Sequence, residues 1–131
     1  MSEAVNVVNF FVPKGKEIVV TKGKIKQAGS TYKTSNEPID MEIPLTVLVD
    51  GATASAAEIV SGSLQDLDRA VIVGNRTYGK GLVQVPRELP YNSSMKVTTA
   101  KYYNSQRTLY SGHRLCQTQC RRFGGHASPT A

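Results

Sequence analysis

Ser55 lies in Thr53-Ala54-Ser55-Ala56-Ala57-Glu58, between a β-rich run, Leu45-Thr46-Val47-Leu48-Val49, and an apolar helical pattern. A serine where a buried strand turns into a helix sits among unpaired backbone N–H groups, at the positive end of the helix dipole. Such a place can hold a nucleophile and steady an oxyanion beside it. The same residues also spell a helix start. Ser55-x-x-Glu58 is a capping box, with Ser55 as N-cap and Glu58 at the third helical position. Lys80 follows 25 positions after Ser55, in Tyr78-Gly79-Lys80-Gly81. Taken alone, a lysine is most often a solvated surface charge, and the spacing leaves both readings of Ser55 open.

The segment from Leu45 to Gln84 resembles the tail-specific, or C-terminal processing, peptidase family. Leu48-Val49-Asp50-Gly51-Ala52-Thr53-Ala54-Ser55-Ala56-Ala57-Glu58-Ile59 is similar to that family's nucleophile segment. Arg69 to Gly74 and Thr77-Tyr78-Gly79-Lys80-Gly81-Leu82-Val83-Gln84 are similar to its lysine segment. The resemblance covers roughly residues 2–103 and implies a Ser-Lys dyad of Ser55 and Lys80, supported by Gln84. It implies a serine-type endopeptidase acting on proteins near their C-terminal tails, in the cell envelope or periplasm of a bacterium. No metal or cofactor is implied.

In the implied mechanism Ser55 attacks the scissile carbonyl and Lys80 takes its proton, because a serine hydroxyl is a weak nucleophile without a base in hydrogen-bond reach. Lysine in water has a pKa of about 10.4, and a lysine base working near neutrality needs about 7–8. A site that achieves this disfavours the ammonium by about 4 kcal/mol, through desolvation by apolar walls. Leu82, Val83 and Tyr78 are the expected walls. Gln84 cannot titrate and is expected to orient Lys80. The N–H of Ala56 is the expected oxyanion donor.

The elements around these residues read as follows. Residues 4–12 put apolar side chains on a wide face; with Ser2 as cap and Pro13 as stop they read as a helix. Glu17–Thr21 reads as a strand and Lys24–Ala28 as a short second strand, with polar residues 29–38 as a loop. Leu45–Val49 has the continuous β-branched pattern of a strand buried on both faces. Ala54–Leu67 reads as a helix with Ala57, Ile59, Val60, Leu64 and Leu67 mainly on one face. Ala70–Val73 and residues 80–85 read as strands, and in the latter period two puts Lys80, Leu82 and Gln84 on one face. A turn at Pro90–Ser94 and a final strand Met95–Tyr103 complete the pattern. The fold class expected is α/β, a fragment of a ClpP/crotonase-like peptidase core built from βαβ units with antiparallel hairpins.

Gly74-Asn75-Arg76-Thr77-Tyr78-Gly79-Lys80 is nearly a phosphate-binding P-loop after a strand. A nucleotide-binding module is therefore the alternative from another class; a non-catalytic binding remnant of the peptidase fold is a second. Two features oppose the nucleotide reading. Gly81 stands where a Ser/Thr would hold magnesium, and Leu82-Val83-Gln84-Val85-Pro86 reads as strand, whereas a P-loop opens a helix.

The chain has 131 residues, a net charge of +6 and a 40% apolar share, enough for a globular core. Residues 1–88 hold as many acidic as basic residues, so the whole excess is C-terminal and gives no nucleic-acid footprint. The lysines of 14–33 read as a solvated hairpin. No apolar run approaches the ~18–20 residues of a membrane span. The partners expected are protein or peptide substrates, with no nucleic acid. Cys116 and Cys120, with His113 and His126, lack the spacing of a zinc finger.

From Asn104 the apolar periodicity stops. The family here usually continues with a pattern like Tyr-Tyr-x-Pro-Ser-Gly-Arg-x-Ile-Gln. Read from the third base of suitably chosen codons, Ile-Pro-Ser-Gly-Arg-Cys-Ile-Gln-Ala becomes Ser-Gln-Arg-Thr-Leu-Tyr-Ser-Gly-His, the residues at 105–113. The domain reading is thus a partial catalytic core over 1–103 and a frameshifted, disordered tail over 104–131. Sequencing the coding DNA tests it; the idea fails if no shifted frame encodes a family-like continuation. Met1 falls just after the point where the family completes a glycine-rich turn that gives half of the oxyanion hole. The expectation is an incomplete and nearly inactive fragment, since losing one oxyanion donor costs ~10²–10³ in rate.

Overall fold

The computed structural model describes residues 1–24 and 29–104. Its elements run α1 (Ser2–Asn9), β1 (Glu17–Gly23), β2 (Ser30–Lys33), β3 (Thr46–Val49), α2 (Ala56–Asp66), β4 (Val71–Gly74), β5 (Leu82–Leu89) and β6 (Ser93–Asn104). One sheet has the order β2-β1-β6-β5, antiparallel throughout; a second consists of β3 and β4 in parallel. The chain is α/β, and β3-α2-β4 is the expected parallel crossover.

Helix α1 forms from the spacing of Ala4, Val5 and Val8, which are buried together. It packs on α2, whose Ile59 and Leu64 meet Ile18 and Val19 of β1 and Tyr102 of β6 in one apolar core. Buried Asn9 closes the end of α1. Its Oδ1 accepts the N–H groups of Ser35 and Asn36, each at 2.9 Å, and its Nδ2 donates to the Asn36 carbonyl at 2.6 Å. These two backbone donors of the loop are thus satisfied by a buried side chain. Arg69, just after α2, fixes the facing loop by donating to the carbonyls of Phe11 and Ile43, both at 2.9 Å.

Two elements depart from the sequence pattern, and a third cannot be compared with it. The polar stretch 29–38 contains β2, because Thr31 and Tyr32 pair with Val20 and Val19 of β1. The second strand expected at Lys24–Ala28 falls, from 25 on, outside the described residues. Strand β3 is not buried on both faces: Val49 is buried but Leu48 is 78% exposed. Among the described residues no layer covers the face that carries Leu48, so the continuous apolar pattern of β3 is buried on one face only. The region 105–131, including both cysteines and both histidines, also lies outside the described residues.

Strands β5 and β6 form a long hairpin from Leu82↔Lys101 to Leu89↔Ser93. Tyr91 and Asn92 at its tip take φ of 62° and 53°, the two left-handed positions of a type I′ turn. The register shifts between Val83 and Gln84, which twists the start of β5 beside α2.

Candidate active site

Strand β3 ends at Val49, and a tight turn follows from Asp50. Asp50 Oδ1 accepts the N–H of Ala52 at 3.0 Å, the N–H of Thr53 at 2.9 Å and the Thr53 hydroxyl at 3.0 Å. The Thr53 hydroxyl bond, with these two backbone donors, holds the Asp50 carboxyl below its usual range. The Thr53 carbonyl accepts the N–H of Tyr78 at 3.0 Å, tying this turn to the lysine segment. Ser55 then takes φ 58°, ψ −115° before α2 begins at Ala56. An N-cap residue ordinarily lies in the β region. A non-glycine side chain at positive φ is strained by about 1–3 kcal/mol, and such strain collects at functional turns. A strained strand-to-helix turn is also how α/β-hydrolases expose a serine.

Glu58 is the hub of this region. It is 0% exposed, and its carboxylate accepts four bonds. Oε2 takes the N–H of Ser55 at 2.9 Å and of Lys80 at 3.1 Å; Oε1 takes the Thr77 hydroxyl at 2.8 Å and the N–H of Gly79 at 2.5 Å. A carboxylate has about four lone-pair sites, so its acceptor capacity is filled. One side chain therefore ties Ser55 to the backbone that presents Lys80. Gly79 and Gly81, at φ 78° and 54°, let the chain turn on either side of that lysine.

Ser55, Ala56, Lys80, Leu82 and Gln84 line one cavity of about 170 Å³, with Ile59, Val83 and Tyr102 among its other walls. The fold thus brings together all four residues singled out in the sequence. Leu82 and Val83 are walls as expected. Tyr78 is not: it is 70% exposed and points away, because the loop turns at Gly79 before Lys80 enters the cavity. Lys80 precedes β5 rather than lying in it; Lys80, Leu82 and Gln84 line the cavity, but so does Val83, because the register shift between Val83 and Gln84 breaks the strict alternation expected there. Gln84 Nε2 donates to Thr98 Oγ1 at 3.5 Å. The N–H of Ala56 has no hydrogen-bond partner among the described residues. No helix follows the glycine-rich Gly74–Lys80 stretch; β5 does, so a phosphate-binding helix N-terminus is missing there.

Two residues of the site were not singled out as functional. Glu58 was visible only as half of a capping box. Its second role needs Thr77, Gly79 and Lys80, at least 19 positions away, to fold back on it. Tyr102 is 1% exposed and stands in the core end of β6, where it borders the cavity that Ser55 lines. Its signal in the sequence was only that of an inward strand position.

The model of peptidase family S41 matches residues 1–115. A carboxy-terminal-processing protease of Bartonella bacilliformis is 38% identical over 112 residues, which cover 86% of this chain and 26% of that protein. The chloroplastic carboxyl-terminal-processing peptidase 1 of Arabidopsis thaliana is 40% identical over 98 residues, 75% of this chain and 20% of its own length. Among solved structures, a photosystem II D1 C-terminal processing protease superposes with a TM-score of 0.72 at 35% identity, over 84% of this chain and 28% of that one. A putative S41 protease of Bacteroides fragilis shares the fold, with a TM-score of 0.66 at 19% identity over 80% of this chain and 30% of its own. The chain spans about a quarter of the length of the curated relatives it matches. With the elbow at Ser55, the lysine segment and these matches over most of its length, this chain belongs to peptidase family S41.

Proposed function

We propose that this chain carries the catalytic segment of a serine-type C-terminal-processing peptidase. Ser55 is its nucleophile, Lys80 its general base and Ala56 N–H an oxyanion donor. The observation that carries the reading is the strained elbow at Ser55, opening on a cavity that Lys80 and Ala56 also line. Ser55 Oγ attacks the carbonyl carbon and its proton passes to the Lys80 amine. The charge that develops on the carbonyl oxygen meets the Ala56 N–H at the positive end of α2. Ile59, Leu82 and Val83 keep the lysine side of the cavity apolar. Gln84, which lines the same cavity, orients the Lys80 amine in this reading. Substrates are protein or peptide chains presented by their C-terminal tails, and the location we propose is the bacterial cell envelope. A soluble cytoplasmic fraction holding all of the chain would count against that location.

A fluorophosphonate probe tests the site because it needs an activated serine but no extended substrate contact. Incubated with the 131-residue chain, it should add one phosphonyl group at Ser55 over hours, read by intact mass and peptide mapping. Ser55→Ala should abolish the adduct, and Lys80→Ala should slow it by about 10²-fold or more. An adduct indifferent to Ser55→Ala, or none in the unaltered chain, overturns the nucleophile. A rate indifferent to Lys80→Ala removes the base and leaves the binding-remnant reading.

A further inference from the structure

Strand β5 is an edge. In the sheet order β2-β1-β6-β5 its one neighbour among the described residues is β6. The pairing fixes which way its backbone groups point. In an antiparallel pair, successive residues turn their N–H and C=O alternately toward the partner strand and away from it. The Gly81 carbonyl accepts the N–H of Tyr102 at 3.1 Å, and the Val83 carbonyl accepts the Thr99 hydroxyl at 3.5 Å, so Gly81 and Val83 face β6. Leu82 between them faces the open side. The register shift at Val83 and Gln84 puts its extra residue, Thr99, on β6. The alternation along β5 therefore runs on unbroken, and Gln84, Pro86 and Glu88 also face the open side. Pro86 agrees with this phase: it has no N–H, and here it takes none from the ladder with β6. Outward from the site, the open side thus offers the N–H and C=O groups of Leu82 and Gln84 and is then interrupted at Pro86. Leu82 and Gln84 line the cavity with Ser55 and Lys80.

We propose that the open side of β5 from Leu82 to Gln84 is the docking edge for the substrate backbone. An extended chain adds a strand to the sheet there, bonding the N–H and C=O of both residues. This rests on the reading of Ser55 and Lys80 given above, and adds the conformation in which the substrate is held. Strand addition holds a peptide by its main chain, largely whatever its side chains. Lys80 lies two residues before Leu82, so a chain laid along this edge carries its next peptide group to the lysine and into the cavity that Ser55 lines. Only a segment without secondary structure of its own has these peptide groups unpaired, so the substrate class is an unfolded, extended tail. A proline in the tail at a position facing β5 brings no donor and is disfavoured. Pro86 plays the complementary part. Proline on a sheet edge blunts indiscriminate pairing. Here the block begins just past the site, so the pairing is confined to the residues beside the cavity. An edge open all the way to Leu89 would invite a second copy of this chain.

The test uses the whole 131-residue chain carrying Ser55→Ala, so that the probe is not consumed. The probe is a hexapeptide of alanine and valine with a free C-terminal carboxylate, with a set of analogues in which one backbone N–H at a time is replaced by an ester oxygen. Binding and amide hydrogen exchange are read from ¹⁵N spectra. The parent peptide should slow exchange at Leu82 and Gln84 by about tenfold or more. The ester analogues should bind about three- to tenfold more weakly at alternate positions, and within about twofold of the parent at the positions between. Pro86→Ala should carry the protection on to position 86. No binding at millimolar peptide, an ester scan without alternation, or Leu82 and Gln84 amides already protected in the free chain overturns the proposal. Protection that rises with chain concentration alone also overturns it, because a second copy then occupies the edge. The fate of the nucleophile is read separately, from fluorophosphonate addition to the unaltered chain. Addition at Ser55 with a flat ester scan rejects the edge and keeps the nucleophile; an alternating scan without addition keeps the edge and rejects the nucleophile.

Discussion

At the scale of single residues, the site depends on a carboxylate that does no chemistry in the proposed reaction. Glu58 gathers four donors, two of them on residues flanking or carrying the proposed base. Removing it strands buried N–H and O–H groups, and each unsatisfied donor costs about 1–3 kcal/mol. Glu58→Ala should therefore destabilise the fold by on the order of 3–5 kcal/mol, measured by urea unfolding. Glu58→Gln is nearly isosteric but sets an amide donor against two existing donors. It should still cost about 2 kcal/mol. A glutamine variant as stable as the parent would show that the carboxylate's second acceptor is dispensable. Ser55 shows the other residue-scale lesson. Its capping-box pattern and its nucleophile reading are not rivals in the fold: Glu58 accepts the Ser55 N–H, and the backbone at Ser55 still adopts a strained elbow.

At the scale of elements, β3 and β4 meet so closely that one position admits no side chain. Gly74 has φ 131°, and a Cβ there would stand 1.8 Å from the Val49 carbonyl oxygen. That carbonyl also accepts the Asn75 N–H at 3.0 Å, so it cannot retreat without losing the bond that joins the end of β4 to β3. Gly74→Ala should destabilise by about 3 kcal/mol or more, since positive-φ strain and a backbone overlap add. Because β3 delivers Ser55 and β4 delivers the Lys80 segment, the same variant should slow fluorophosphonate addition in whatever fraction stays folded. Unchanged urea midpoints would mean that the two strands separate freely. The parallel pairing Thr46↔Val71 to Val49↔Gly74 is thus what sets the segments of the proposed nucleophile and base side by side. The antiparallel hairpin of β5 and β6 then brings Gln84 and Tyr102 to the same cavity.

At the scale of the whole molecule, stability should have an acid and an alkaline limb with separate owners. Asp40 is held below the ordinary 3.8 by the N–H groups of Ile43 and Glu42, and Asp50 by its bonds to Thr53 and Ala52. Lowered folded values mean that their contribution is present above about 3.8 and is lost as pH falls through the folded values below it. Tyr102 is raised above 10.0, so its contribution is full below that pH and is lost as pH climbs through the folded value. Urea midpoints against pH should flatten at the acid end in Asp50→Asn and at the alkaline end in Tyr102→Phe; an unchanged alkaline limb in the latter would show that Tyr102 is not the group titrating there. Much of this molecule was legible in its residues. The α/β class, α1, α2, β1, β4 and the final hairpin follow from apolar periodicity and turn residues, because those patterns report which face of an element meets the core. Ser55, Ala56, Lys80 and Gln84 were marked by the resemblance of their segments to the peptidase family, since spacing alone left Ser55 open as a plain helix cap. Other features were decided only in three dimensions. Strand β2 forms in a polar stretch because β1 offers it an edge, Leu48 is exposed because β3 has a layer on one face, and Tyr78 turns outward where Gly79 bends the chain. Above all, the sequence names Ser55 and Lys80, but the meeting of Glu58 and Tyr102 around them belongs to the tertiary structure. Side chains 19 or more positions apart become neighbours only when the core closes, and burial there makes each of their hydrogen bonds costly to lose.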